Sequence, residues 1–371
     1  MRLSSKWGTG MLAAVCLLAA QGLGPSEIPK TKPSPATVDV STVSFEAAAA
    51  AAEALPRLRS LLVSWRDELV VEQYLHGARA GRTANIKSAS KSVISALVGI
   101  AIGRGLIEGI DAPIAPFFPG VLGDEVDARK KEITIEDLLS MRAGLETTSN
   151  RNYGRWVHSA NWVRFALNQP MDGAPGGRMI YSTGNTHLLS AILTKVSGKS
   201  TLEFAREALA GPLGIDLSPW PQDRQGIYFG GNDMVMTPRQ MLAFGKLYLH
   251  GGRVNEEQVV PEEWIETSWV PRTRSHFSNR LYGYGWWIRE LAGRRVYYAW
   301  GFGGQFIFVV PEIEMVVVAT SSDAPGRERR GHLGGVYDLV ESHVIAPAAS
   351  AMGLNTWGGF DSAGLTDEEM P

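Results

Sequence analysis

Strand-like segments stand near the two ends of this chain, and a long helical middle separates them. Residues 61–65 and 68–75 are rich in apolar and β-branched side chains and flank an Arg66-Asp67 turn. Residues 281–288, 295–300, 305–310 and 315–320 have the same texture, and 311–314 joins the last two as a hairpin. From Ser88 to about Trp269 the pattern is mainly helical. Val93, Ile94, Leu97, Val98, Ala101 and Ile102 recur at helical spacing, and Ile100 fills the opposite side, so this helix is buried all round. The simplest packing joins both ends of the chain into one antiparallel sheet. The helical middle then becomes a second lobe, with a cleft between the two.

The expected class is therefore α+β: an antiparallel sheet flanked by helices, plus a mainly helical lobe. One domain spans 43–350, with a sheet lobe at 55–87 and 281–346 and a helical lobe at 88–280. Residues 306–310 are apolar on both faces, which predicts a sheet covered on both sides. Further helices are expected at 47–61, 135–141, 162–167, 187–196, 202–209, 237–249 and 334–345. Thr237-Pro238 supplies a capping hydroxyl followed by proline in the first turn.

The ends of the chain read differently. Arg2 and Lys6 precede an apolar run from Gly10 to Ala20, the pattern of a cleaved signal peptide over 1–24. That run is short for a membrane span, so no stable span is expected after cleavage. Residues 25–42 carry Pro25, Pro29, Pro33 and Pro35 and read as a linker, and 351–371 as a loose tail. The implied location is secreted or periplasmic. Cys16 is the chain's one cysteine and falls in the signal segment, which excludes disulfides, thiolate chemistry and cysteine-bound zinc from the mature protein. Removing 1–24 leaves 34 basic and 38 acidic residues, a net charge of −4 with no block of like charge. Nucleic acid and anionic membrane surfaces are poor partners for such a chain.

Three short segments carry the chemistry. Ser88-Ala89-Ser90-Lys91 opens the buried helix. One turn separates Ser88 from Lys91, so the two side chains share a face. At a helix start the free N–H groups and the dipole favour developing negative charge, and a desolvated lysine has a lowered pKa. The pair suits a serine nucleophile with an amine base. The competing account is a capping serine followed by a solvated lysine. Residues 173–177 are turn-forming, and Tyr181-Ser182-Thr183 follows them. The Tyr181 oxygen suits a proton relay in the cleft, or a satisfied core hydroxyl. Ala299-Trp300-Gly301-Phe302-Gly303-Gly304 borders a strand. Its glycines permit close backbone approach, which suits an oxyanion site or a bulge at a sheet edge.

In this order the three segments resemble the serine β-lactamase and penicillin-binding-protein-like superfamily, in its class C-like branch. That branch includes esterases, D-aminopeptidases and 6-aminohexanoate-dimer hydrolases. Residues 138–145, 230–233 and 308–312 resemble it too, so the likeness runs over roughly 55–346. The resemblance implies a β-lactamase/transpeptidase-like fold, an acylated Ser88, Lys91 as base, Tyr181 assisting proton transfer, and an oxyanion hole from the N–H groups of Ser88 and Phe302. Gly301 matches the K-T-G glycine, but Ala299 and Trp300 replace its lysine and threonine, and Thr183 replaces the Y-x-N asparagine. The lost lysine removes a charge-assisted contact to a substrate carboxylate.

An exported serine hydrolase of esters or small amides follows, with a small ester, amide or peptide as its partner and no cofactor or metal. Thr183, Trp300, Gly301 and Gly303 are candidate substrate-binding residues. Tyr153 and Trp156 serve equally as pocket walls or as core. Two alternatives stand beside this reading. One is a β-lactamase or D-amino-acid peptidase in which Arg327, Arg329 or Arg330 replaces the missing cation. The other is a non-catalytic module for cell-wall ligands.

Overall fold

The computed structural model describes residues 39–122 and 127–354. The signal-peptide reading of 1–24, most of the 25–42 linker and most of the 351–371 tail lie outside the described residues. Of the linker, 40–42 form a single 3-10 turn.

Eight antiparallel strands form the main sheet. They are β1 (Leu58–Trp65), β2 (Glu68–Tyr74), β3 (Thr273–Arg274), β4 (Leu281–Tyr282), β5 (Trp287–Leu291), β6 (Arg294–Gly301), β7 (Gln305–Val310) and β8 (Met315–Ser321), in the order β2-β1-β8-β7-β6-β5-β4-β3. The N-terminal hairpin docks against the last strand, with Leu61 opposite Ala319 and Val63 opposite Val317. Alternation along β7 divides the apolar residues between two layers. Ile307 and Val309 join the core under the helical region, while Phe306, Phe308 and Val310 join the core on the other face. The sheet is thus covered on both sides.

Three helices matter for the site: α2 (Ser90–Gly103), α3 (Thr183–Ser197) and α4 (Pro238–Leu249), while α1 (Glu46–Glu53) and α5 (His332–Val340) cover the opposite face. Helix α2 is buried along most of its length, including the hydroxyls of Ser90, Ser92 and Ser95. Thr237 and Gln240 form a reciprocal capping box at the start of α4.

Some boundaries differ from the sequence expectation. The helix expected over 47–61 ends at Glu53, because Pro56 cannot continue it and Leu58 onward is claimed by pairing with β8. The strand expected over 281–288 is two strands, β4 and β5, separated by 283–286, where Gly285 takes a positive φ of 78°. The helix expected from 187 begins at Thr183, and the closing helix expected at 334–345 starts at His332 and passes into a π turn at Glu341–Ile345. Among the described residues, no helix is long and apolar enough to cross a membrane.

Candidate active site

Ser88 lies two residues before α2, in the 3-10 turn Lys87–Ala89 that continues into the helix. The chain reaches this turn from a two-residue strand, Ala84–Asn85, paired with Val235–Met236. Asn85 fixes the approach: its side-chain oxygen accepts the Lys87 N–H at 2.9 Å, and its amide donates to Asp233 at 2.7 Å. Lys87 itself sits at φ 50°, in the left-handed region, which turns the chain sharply into Ser88. Ser90 closes the turn by donating to the Lys87 carbonyl at 2.6 Å.

One turn further on, Lys91 is only 1 % exposed. Its Nζ lies 3.1 Å from Ser88 Oγ, 3.2 Å from Thr183 Oγ1 and 2.7 Å from the Gly231 carbonyl. A neutral amine has two N–H donors and one lone pair, so three contacts of this kind fit donation to Gly231 and Thr183 and acceptance from Ser88. Burial brings the Lys91 pKa down to about 7, against the opposing pull of the Asp233 carboxylate. Tyr181 behaves oppositely. Burial pushes its phenol up to about 12, and its hydrogen bond with Ser88 only partly offsets this. Its ring centroid is 5.0 Å from Lys91 Nζ. At neutral pH the lysine is therefore the available base, and the tyrosine is a neutral phenol able to pass a proton.

The N-terminus of α3 brings Tyr181 and Thr183 to this point. Its first N–H groups are satisfied by a hydroxyl-rich loop rather than by its own cap. Thr183 N donates to Ser149 Oγ at 3.0 Å, and Gly184 N donates to Thr148 Oγ1 at 2.8 Å. Ser149 Oγ also lies 3.0 Å from Thr183 Oγ1, which extends the Lys91 network by one more hydroxyl. Gly231 must be glycine, since a Cβ there would fall 2.1 Å from Thr186 Oγ1 and 3.2 Å from Lys91 Nζ.

The end of β6 closes the site. A Cβ on Gly301 would fall 2.0 Å from the Ile86 carbonyl, so this strand end rests directly on the turn that carries Ser88. Phe302 follows, and its side chain lines both cavities that meet at Ser88. Gly303, at φ 85°, belongs to the tight turn between β6 and β7 and lines neither cavity.

The first cavity, of about 290 Å³, runs from Ser88 and Tyr181 along Met179, Ile180, Trp287, Trp300 and Phe277, with Arg178 and Asp172 at its side. Trp300 stacks on Phe306 behind this wall, and the Arg280 guanidinium lies 4.8 Å from its ring centroid. The second cavity, of about 390 Å³, is bordered by Lys87, Ser149, Asn150, Tyr153, Thr183, Asn232 and Asp233. Tyr153 accepts a 2.8 Å hydrogen bond from Asn232. Trp156 does not belong to the wall of either cavity. It is fully buried among Trp162, His187 and Phe229, and its ring N–H donates to the Trp162 carbonyl.

The structure brings Ser88, Lys91, Tyr181, Thr183, Tyr153, Trp300 and Phe302 together, and of the two roles open to Trp156 it shows core packing. Sequence reading missed Ser149, Lys87, Asn232 and Asp233. The hydroxyl run Thr147-Thr148-Ser149 and the Gly230-Gly231-Asn232-Asp233 stretch were the available signals. Among the described residues no cluster of His, Cys, Asp and Glu could hold a metal ion.

Comparison with known proteins agrees with this geometry. A 6-aminohexanoate-dimer hydrolase of Paenarthrobacter ureafaciens is 25% identical over 286 residues, covering 71% of this chain and 72% of that protein. Two solved structures share the fold. EstCE1, a hydrolase with promiscuous acyltransferase activity, has a TM-score of 0.65 at 17% identity, covering 81% of this chain and 97% of its own. A D-stereospecific amidohydrolase from Streptomyces sp. has a TM-score of 0.63 at 17% identity, covering 80% and 98%. The sequence profile of the beta-lactamase family matches residues 59–340, most of the chain, and it takes in both the Ser88 turn and the β6 strand end that rests on it. The chain belongs to the beta-lactamase family.

Proposed function

We propose that the protein is a serine hydrolase of esters or small amides that works through an acyl-enzyme on Ser88. The observation that carries this reading is the buried Lys91 amine, held 3.1 Å from Ser88 Oγ with its pKa brought down to about 7. Neutral Lys91 takes the hydroxyl proton as Ser88 attacks the carbonyl carbon. The N–H groups of Ser88 and Phe302 receive the developing oxyanion. Tyr181 hands its proton to the leaving group as the tetrahedral intermediate collapses and is reprotonated by the Lys91 ammonium, which restores the neutral amine. Water, activated by the same amine, then releases the acid from the ester.

The apolar cavity beside Ser88 suits an uncharged substrate arm, and Ala299 and Trp300 offer no cation to a carboxylate. The names of the relatives, an aminohexanoate-dimer hydrolase, an acyltransferring hydrolase and an amidohydrolase, support the same substrate range. The pattern of residues 1–24 supports action outside the cytoplasm, secreted or periplasmic, which N-terminal sequencing of the mature protein would check.

A second reading, hydrolysis of a β-lactam or D-amino-acid peptide, has one observation in its favour. The Arg329 guanidinium lies 4.3 Å from the ring centroid of Phe302, a residue that lines both cavities at Ser88. The test is p-nitrophenyl butyrate and nitrocefin hydrolysis by the wild type, Ser88→Ala and Arg329→Gln. Ester turnover abolished by Ser88→Ala supports the first reading. Nitrocefin turnover lost in Arg329→Gln supports the second. Undiminished ester turnover in Ser88→Ala overturns the acyl-enzyme.

A further inference from the structure

A third cavity, of about 240 Å³, lies at the start of the sheet lobe and shares no lining residue with the two at Ser88. Arg59 reaches it from β1, and Arg79 and Arg82 from the loop that follows β2. Among the described residues none of these three guanidiniums meets a carboxylate. There Arg59 donates to the carbonyls of Pro56 and Leu58, and the side chains of Arg79 and Arg82 are exposed. For Arg79 and Arg82 the local sequence explains why. No acidic residue stands between Glu72 and Glu108, and Glu72 is already taken by Arg239 in a two-point contact of 2.6 and 2.7 Å.

The one carboxylate on the cavity wall is Asp323, and it too is engaged, at 2.9 Å from Lys87 Nζ. The wall therefore carries three cations against one committed anion, in a chain whose overall charge is negative. Like charges brought together without counter-charges repel, and a small anion among them removes that cost. Guanidinium forks match the paired oxygens of phosphate and carboxylate groups. The hydroxyls of Thr83 and Ser322 on the same wall add donors for further oxygens. The concave shape suits a compact soluble molecule.

We propose that this cavity binds a small, multiply charged oxyanion of the phosphate or polycarboxylate type, at a site separate from the hydrolytic one. Asp323 pairs with Lys87, the residue before the nucleophile, and Asn85 on the same wall accepts the Lys87 N–H, so the site is linked to the Ser88 turn by both contacts.

The test is calorimetric titration and thermal unfolding of the intact protein with inorganic pyrophosphate and with citrate, at ionic strength matched by sodium chloride. The wild type should bind at least one of the two and melt at a higher temperature with it than in matched chloride. Affinity should fall roughly tenfold for each arginine removed in Arg82→Gln and Arg79→Gln. Arg253→Gln, an exposed arginine elsewhere, should bind as the wild type does. Arg82→Gln is exposed and tests the site even if Arg59→Gln impairs folding. No binding of either anion, equal binding by the arginine variants, or equal weakening in Arg253→Gln would overturn the proposal.

Discussion

Replacing Lys91 by methionine tests the central electrostatic argument without a substrate. Methionine keeps most of the side-chain volume and removes the charge. In the unfolded chain the lysine pKa is near 10.5, and in the folded protein burial lowers it to about 7. Between those values the unfolded state binds the proton and the folded state does not, so wild-type stability rises with pH across that window. Below pH 7 both states are protonated, and the folded state bears the whole cost of a buried ammonium. The shift corresponds to about 5 kcal/mol at 1.36 kcal/mol per unit. Integrated from pH 6 to pH 9, the linkage amounts to about 3 kcal/mol. Lys91→Met lacks this dependence. It also removes the Lys91 contacts to the Gly231 carbonyl and the Thr183 hydroxyl, but that loss is the same at every pH. Urea unfolding of both proteins at pH 6, 7, 8 and 9 should show the wild type gaining about 3 kcal/mol on the variant. A difference that stays flat would mean that Lys91 keeps an ordinary amine pKa in the fold. Its role as a base at neutral pH would then be lost.

Ester hydrolysis should fall about tenfold per pH unit below a midpoint near 7, because only the neutral amine accepts the Ser88 proton. Asp233→Asn removes the charge that holds the Lys91 pKa up, so the midpoint of kcat/KM should move to lower pH; an unmoved or raised midpoint refutes the coupling. Gly301→Ala drives a methyl group into the Ile86 carbonyl. It should cost about 1–3 kcal/mol of stability in urea titrations and about a hundredfold in kcat, and a fully active variant would show that β6 need not rest on the Ser88 turn.

The parts of this molecule that could be read from sequence are those set by local chemistry. The Ser88–Lys91 spacing places two side chains on one helical face whatever surrounds them, and the unbroken apolar run over 306–310 predicts a sheet covered on both sides. The parts that could not be read depend on distant segments meeting. Trp156 and Trp300 are the same residue type, yet one is sealed among Trp162, His187 and Phe229 while the other lines a cavity at Ser88. Ser149 caps α3 from 34 positions away, and no local pattern announces that. Pro56 was legible as a helix stop, but the Ala-rich run before it masked the start of β1.

The placement of β1 also bears on how the molecule is made. Leu61 pairs with Ala319, 258 positions later, so β1 has only its hairpin partner until almost the whole chain exists. During synthesis its outer edge offers unpaired backbone groups and the apolar side chains of Leu61, Leu62 and Val63. Contacts of such separation slow folding, because a long loop must close before they form. A nascent chain of this topology therefore keeps β1 incompletely paired until β8 has been made.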